Sequence, residues 1–339
     1  MRQSGLFDLE FRMRKIDDNG DPLKRLDELV DWELFRPILN QIRDKKRKTK
    51  AGRKPFDVVL MFKILILQSL YNLSDDTTEA QQILDRLSFM RFLGLSIGDR
   101  VPDSKTIWLF REGLKRAGIF SELFLKFDRF LRSNGFEAKK GQIIDASIVS
   151  VPRQKNSRQD NKKIKAGEDI SDWSVNKQRQ KDIDARWTKK NGKSYFGYKN
   201  HVSVDVKYKF IRRFDITDAS VHDSQVFKEL LDAENTSGAV WADSAYRSYE
   251  NLWYLGINGY REHIQRKGYR KYPLTARERQ GNRSRSRTRS RVEHVFGAQL
   301  QKAGNLILRT VGKVRAYVKI GLRNLAYNLD RYSLLAFSV

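Results

Sequence analysis

Apolar and polar positions along the chain fall into two textures that meet near residue 141. Ahead of that point the spacing is helical. Phe56 to Leu73 is a nearly continuous apolar run, and Pro55 suits its first turn. Asp75 and Asp76 offer caps for a second helix through Leu87. A third is predicted from about Asp103, with Ile107, Phe110 and Leu114 on one stripe and Lys105, Arg111, Lys115 and Arg116 on the other face. Ser121 to Arg132 repeats the pattern with Leu123, Phe124, Phe127, Phe130 and Leu131. The first apolar run is long enough to suggest a membrane span, but Lys63 lies near its middle, with Asp57 and Gln68 inside it. A central lysine costs roughly 2.5–3.5 kcal/mol on insertion scales, so a buried helix is expected.

Beyond residue 141 the chain turns β-branched and aliphatic. Gln142–Val151 reads as a buried strand, and Pro152 to Lys193 as a long polar, basic loop. Strands resume at Ser194–Val206 and Lys209–Thr217, joined by a tight turn at Lys207 and Tyr208. A helix over Asp223–Ala233, a strand Gly238–Ala242, a helix near Arg247–Leu255 ended by Gly256, and a strand Tyr260–Gln265 follow. Helices then run to the end, with Leu322, Leu325 and Leu329 on one face. The hairpin-linked strands favour antiparallel pairing and the later alternation favours parallel crossovers. The expected α/β architecture is a mixed five-stranded sheet flanked by helices over residues 138–339, with a basic insertion at about 152–193. An all-helical domain over residues 1–137 precedes it.

Composition adds a partner. Of 339 residues, 67 are Lys or Arg against 41 Asp or Glu, a net charge of +26. Such an excess repels itself in the folded state and usually serves to meet a polyanion, nucleic acid first and an anionic membrane surface second. At 40% hydrophobic and 11% aromatic the chain is not a disordered tail. It has no cysteine, which removes disulfides and thiolate metal sites and fits a reducing cytosol. With four histidines, carboxylates are the expected metal ligands, favouring magnesium or manganese over zinc. Residues Met1–Glu10 show no basic region followed by an apolar run, so no secretory signal is expected.

Three acids carry candidate chemistry. Asp145 interrupts the strand QIIDASIV, where an unpaired carboxylate is costly to bury. Asp243 sits just past another strand, in GAVWADSAY, at the kind of strand end where α/β sheets gather ligands. Glu293 lies on a predicted helix, in RSRVEHVFG, with Val292, Val295 and Phe296 facing the core. Brought together, three such carboxylates can hold two divalent ions for in-line attack on a phosphodiester. Taken singly, each could equally be a cap, a turn residue or a surface ion pair.

The segments IIDASIV, KSYFGYKNHVSVD, VWADSAYRS and RSRVEHVFGAQLQK resemble the motifs of insertion-sequence transposases of the IS5 group, within the IS4 superfamily. The stretch from Lys54 to Leu114, ending in PDSKTIWLFREGL, resembles the N-terminal domain of the same group. The resemblance spans most of the chain in order. It implies a ribonuclease-H-like fold and an Asp-Asp-Glu triad, which falls on Asp145, Asp243 and Glu293. It also implies two Mg2+ ions per site, with Mn2+ able to substitute. The superfamily signature around its Glu runs Tyr, two residues, Arg, three residues, Glu, six residues, Lys. Arg289 matches it, whereas Ser286 and Leu300 stand at the Tyr and Lys positions, and Lys302 lies near the latter. That partial loss puts hairpin chemistry in doubt and leaves metal binding untouched.

Other residues bear on DNA. Arg277, Arg279, Arg283, Arg285, Arg287, Arg289 and Arg291 lead into the Glu293 helix and could clamp phosphates, or form a solvated linker. Trp173 and Trp187, among the lysines and arginines of the insertion, could stack on bases or pack locally. Lys199 on its strand, and Lys105 and Arg111 on the third helix, are further candidate DNA contacts. Asp205 is the leading rival for a metal position, Asp223 reads as a helix cap, and His222 and His294 adjoin the motifs. The expected activity is metal-dependent cleavage at insertion-sequence ends followed by 3′-hydroxyl strand transfer. Its partners would be double-stranded DNA (terminal inverted repeats and target) and a second copy in the synaptic complex, with no membrane, in a bacterial cytoplasm. A catalytically silent DNA-binding protein and a nuclease of the same fold are the alternatives.

Overall fold

The computed structural model describes residues 7–43, 54–74 and 77–337. Contacts divide the chain into two compact units, residues 1–127 with 322–339, and residues 128–321. The first is helical: α1 (Asp8–Asp18), α2 (Pro22–Leu29), α3 (Arg36–Asn40), α4 (Val58–Tyr71), α5 (Thr77–Asp85), α6 (Leu87–Leu93), α7 (Ser104–Ala117) and most of α8 (Phe120–Ser133). Residues 322–339, expected with the sheet, cluster with these helices instead.

The apolar run forms α4 because almost every side chain in it is buried. Each fully buried Leu, Ile or Phe contributes about 1.5–3 kcal/mol. The helix starts at Val58, later than Pro55 suggested, because the Asp57 carboxylate accepts from the Val59 and Leu60 amides at 2.8 and 3.2 Å. Its polar interruptions are each matched. Lys63 pairs with Asp27 and lies 4.8 Å from the Phe92 ring centre. Gln68 accepts from Arg111 Nη1 at 3.3 Å. Arg111 is therefore 4% exposed and sits inside the unit, not on its basic face as expected. Lys105 is exposed, on a helix capped by Asp103. The caps expected at Asp75 and Asp76 lie outside the described residues. No helix among the described residues is long and apolar enough to cross a membrane.

The second unit is built on one sheet: β1 (Gln142–Ser150), β2 (Arg186–Lys190), β3 (Lys193–Asp205), β4 (Ile211–Asp218), β5 (Ala239–Ala242) and β6 (Arg261–Ile264). β1, β3 and β4 pair antiparallel, while β5 and β6 join β1 in parallel. The five expected strands thus run β4-β3-β1-β5-β6, a meander followed by crossovers, as in a ribonuclease-H-like sheet. The sixth strand, β2, is unexpected. It lies in the stretch read as a loop and pairs with the start of β3. That stretch also forms α9 (Arg158–Ala166) and α10 (Val175–Gln180), with capping by Ser157 and Ser174. Buried Asp182 anchors it, accepting from the Tyr198 hydroxyl at 2.7 Å.

The helix expected over Asp223–Ala233 is a short 3-10 turn, Asp223–Val226, followed by turns. α11 (Tyr249–Ile257) runs one residue past Gly256. α12 (Ala276–Arg289) and α13 (Arg291–Ala303) meet at Ser290 with no intervening loop, and α14 (Lys313–Ala336) ends the described chain. One glycine fixes the register that matters below. Gly141, at φ +89, precedes β1 where any Cβ would collide with the Ala239 carbonyl and the Trp241 ring.

Candidate active site

The register of the parallel pair explains why two of the three acids meet. Ile144 on β1 lies opposite Ala242 on β5, so Asp145 and Asp243 are the next residues along adjacent strands. Neighbouring strands lie about 4.8 Å apart, which sets the two acids side by side on adjacent inner strands. The Asp145 side chain is 16% exposed. Its Oδ1 accepts from the Ala146 amide at 2.8 Å, and its Oδ2 from Arg289 Nη1, also at 2.8 Å. Burial pushes the Asp145 carboxyl above the usual carboxylate range, and Asp243 adds to the shift, against the Ala146 amide and Arg289. Asp243 ends β5 and caps the turn Ser244–Tyr246, accepting from the Ala245 amide at 2.8 Å.

Glu293 does not join them. It lies in the first turn of α13, exposed, while Val292 and Val295 of the same helix are buried. Among the described residues, no group of three His, Cys, Asp or Glu side chains stands close enough to hold one ion. What the site holds is a pair of carboxylates, with the Arg289 guanidinium on one of them supplying positive charge. Hard oxygen donors with a cation already drawn to them fit a divalent metal such as magnesium. The hydroxyl of Tyr246, three residues after Asp243, is buried and has no hydrogen-bond partner. Asp223, Asp145 and Asp243 act on it electrostatically, with Arg289 opposing them.

The comparisons with known proteins decide the family. The family model described as transposase DDE domain matches residues 137–329, more than half of the chain, and the model described as transposase domain (DUF772) matches residues 11–113.

This chain is a DDE transposase.

The two domains, in this order, are of the IS4/IS5 type. Transposases of this family bind DNA and break and rejoin its phosphodiesters in a reaction that depends on divalent metal. The chain is also similar to a piggyBac transposase solved as a synaptic complex with hairpin DNA, at 14% identity, covering 94% of this chain and 76% of that one, with a TM-score of 0.47.

Several transposase residues take roles other than those expected. Asp205, the rival metal position, is fully buried and accepts from the Tyr208 and Phe210 amides at 2.7 and 2.9 Å and from Arg212, so it closes the β3–β4 turn. Lys199 is not displayed to DNA. Its ammonium donates to Asp223 Oδ1 at 2.8 Å and to the Val221 carbonyl at 2.7 Å. His222, not Asp223, caps the turn that follows. Trp173 is buried with the Lys177 ammonium 4.1 Å from its ring centre, whereas Trp187 is half exposed, with Arg153 at 5.6 Å. The arginine run is a helix, not a linker, and it has two faces. Arg279, Arg283 and Arg287 recur every fourth residue and are exposed, while Arg285 and Arg289 are half-buried. Arg291 is exposed and donates to the Val206 carbonyl at 3.1 Å, and Lys302 and His294 are exposed on α13. Tyr246 was missed, although a phenol three residues past a strand-end Asp was visible in DSAY.

His201 is fully buried on β3. The Thr217 hydroxyl donates to the Asp218 carbonyl at 3.0 Å, so His201 Nε2, 2.8 Å from that hydroxyl oxygen, carries the ring proton. Nδ1 then has a lone pair and no donor. Burial lowers the pKa to about 4, with Lys199 in the same sense and Asp223 opposing. Because the neutral ring is the folded form, its contribution is complete above the unfolded value near 6.5 and is lost as pH falls toward 4. The expected loss is on the order of 3 kcal/mol by pH 4. Urea unfolding at pH 7 and pH 4.5 checks this, since His201→Asn should show the shallower pH dependence of the two chains.

Proposed function

We propose that this transposase cleaves the ends of an insertion sequence and transfers the exposed 3′-hydroxyls into target DNA, using Asp145, Asp243 and Glu293 to hold two Mg2+ ions, for which Mn2+ substitutes. The observation that carries the reading is the meeting of Asp145, within β1, and Asp243, just past the end of the adjacent parallel strand β5, with a guanidinium seated on the first. Divalent ions in such a site activate a water or 3′-hydroxyl and stabilise the leaving oxygen. Asp145 and Asp243 orient the ions from the rigid sheet. Glu293 completes the cage by a movement of α13 about Ser290, the point where α12 and α13 join. Arg289, the last residue of α12, lies on the other side of that joint and exchanges Asp145 for a phosphate of the DNA end.

The remaining chain supplies grip. Arg279, Arg283 and Arg287 offer a phosphate-spaced stripe, to which Arg285, Arg291 and Lys302 add. The helical domain over residues 1–137, with Lys105 on its surface, reads the terminal inverted repeats, and two copies pair the ends in a dimeric synaptic complex. The work takes place in the cytoplasm of a bacterium, at its nucleoid. Replacing Arg279, Arg283 and Arg287 together with alanine is expected to reduce the slope of log affinity against log salt by up to ~3, at ~0.9 per contact. Titration of a labelled end duplex at several salt concentrations checks it, and an unchanged slope removes the stripe from the interface.

Glu293 standing apart favours a second reading, a DNA-binding protein without catalysis. An assay with labelled end DNA, supercoiled target and magnesium separates the readings. Joined product supports transposition, cut product alone a nuclease, and a bound complex alone the silent binder.

A further inference from the structure

Tyr246 poses a physical problem that its packing does not solve. Its ring is fully buried among Ile144, Phe227, Leu230, Ala242, Leu255 and Ile264, 5.7 Å from Phe227 between ring centres. Phenylalanine would fill that space as well and would bury no hydroxyl. The hydroxyl oxygen instead lies inside with no partner, an arrangement that native proteins largely avoid. Three acids, Asp223, Asp145 and Asp243, act on it electrostatically, and Arg289 opposes them. A buried donor facing acids should find an acceptor. It finds none within hydrogen-bond distance. Asp145 Oδ1 accepts from the Ala146 amide on its own strand and Oδ2 from Arg289, Asp243 Oδ1 accepts from the Ala245 amide, and Asp223 Oδ1 accepts from Lys199.

Position is controlled as tightly as chemistry. Tyr246 is the last residue of the turn that Asp243 caps, and the buried Asn251 side chain donates to the Tyr246 carbonyl at 3.0 Å. One short turn thus carries both a carboxylate of the site and the buried phenol. Burial and the neighbouring acids keep the proton on the phenol, so it remains a donor.

We propose that Tyr246 is a positioning residue for metal binding, whose hydroxyl donates to a carboxylate or water oxygen of the Asp145–Asp243 site once Arg289 has left Asp145. This rests on the proposal that those two aspartates bind metal. The group would orient a ligand oxygen without touching the ion, a role whose loss typically weakens metal affinity by about 10- to 100-fold.

Mn2+ binding to the full chain, followed by paramagnetic resonance of the free ion, tests this alongside thermal unfolding without metal. Tyr246→Phe should bind Mn2+ at least ~10-fold more weakly while melting at the parent temperature or slightly above it, because an orphaned hydroxyl has been removed. A purely structural tyrosine predicts the same melting behaviour with unchanged Mn2+ affinity, and that result overturns the proposal. Asp145→Asn is the control. If it binds Mn2+ as the parent does, the metal site itself is misassigned. If it loses binding while Tyr246→Phe does not, only the role of Tyr246 falls. Should Tyr246→Phe melt well below the parent, the hydroxyl has a structural partner and the proposal also fails.

Discussion

Replacing Asp243 with asparagine is expected to slow end cleavage by at least ~10^3-fold, equivalent to about 4 kcal/mol of lost transition-state stabilisation. Binding of the end duplex should change by less than about twofold, since one uncharged substitution just past β5 removes no phosphate contact. Asparagine has nearly the same shape, and its side-chain oxygen can still accept from the Ala245 amide, so the turn Ser244–Tyr246 should persist. What disappears is one of the two charges able to grip a cation, Asp145 within β1 and Asp243 just past β5. The check is a time course of nicking on labelled end DNA with magnesium, beside a binding titration. Cleavage at the parent's rate would remove Asp243 from the site. Glu293→Gln in the same assay addresses the acid that stands apart. An equal loss means that α13 brings it in, whereas no loss means that Asp145 and Asp243 work without it.

The second large effect concerns stability. Arg212 is 1% exposed and donates to Asp128 at 2.8 Å, to the Phe136 carbonyl at 2.6 Å and to Asp205 at 3.3 Å. Arg212→Met keeps most of the side-chain volume but strips the positive charge from two buried carboxylates. Removing one partner from a buried ion pair costs about 3–5 kcal/mol, because the remaining charge stays desolvated. Asp128 retains Arg132 at 2.8 Å, so Asp205 bears most of the imbalance, softened by its two backbone donors. For a unit of this size the melting temperature should fall by about 6–20 °C. Calorimetry or far-ultraviolet dichroism reads it directly. Adding Asp205→Asn should recover part of the loss, since the two residues are coupled. A fall of under about 3 °C would show that the guanidinium contributes little beyond packing.

Much of this molecule was legible without coordinates, wherever the information is local. The aliphatic run around Asp145 reads as a strand because β-branched side chains suit a pleated, buried surface, and β1 forms over Gln142–Ser150. The periodicity of Ile107, Phe110 and Leu114 places α7, and Asp103 caps it. Asp145 and Asp243 stand out since a carboxylate within or just past an apolar strand needs a reason to be there. Motif matching singled out Arg289 beside Glu293, and the structure finds it on Asp145 instead. The basic stretch from Pro152 to Lys193 was misjudged because β2 gains its stability by pairing with β3 and Asp182 by a hydroxyl on that strand. The hairpin signal was local, the Asn191-Gly192 turn between β2 and β3, whereas Tyr198 reaches Asp182 across sixteen residues.

The chain's own order of residues was therefore enough to establish several of its helices, five of its strands, its basic character and which acids are unusual. Folding in three dimensions settled matters of pairing. It buried Arg111 on Gln68, tied Lys199 to Asp223, closed Asp205 onto Arg212, joined Asp145 to Asp243 and left Glu293 outside. The division has a physical cause. Backbone propensity and amphipathic spacing act over a few residues, so they can be read along a line. The partner of a charge is chosen by whichever distant segment the sheet register brings within about 3 Å, and no linear pattern carries that distance.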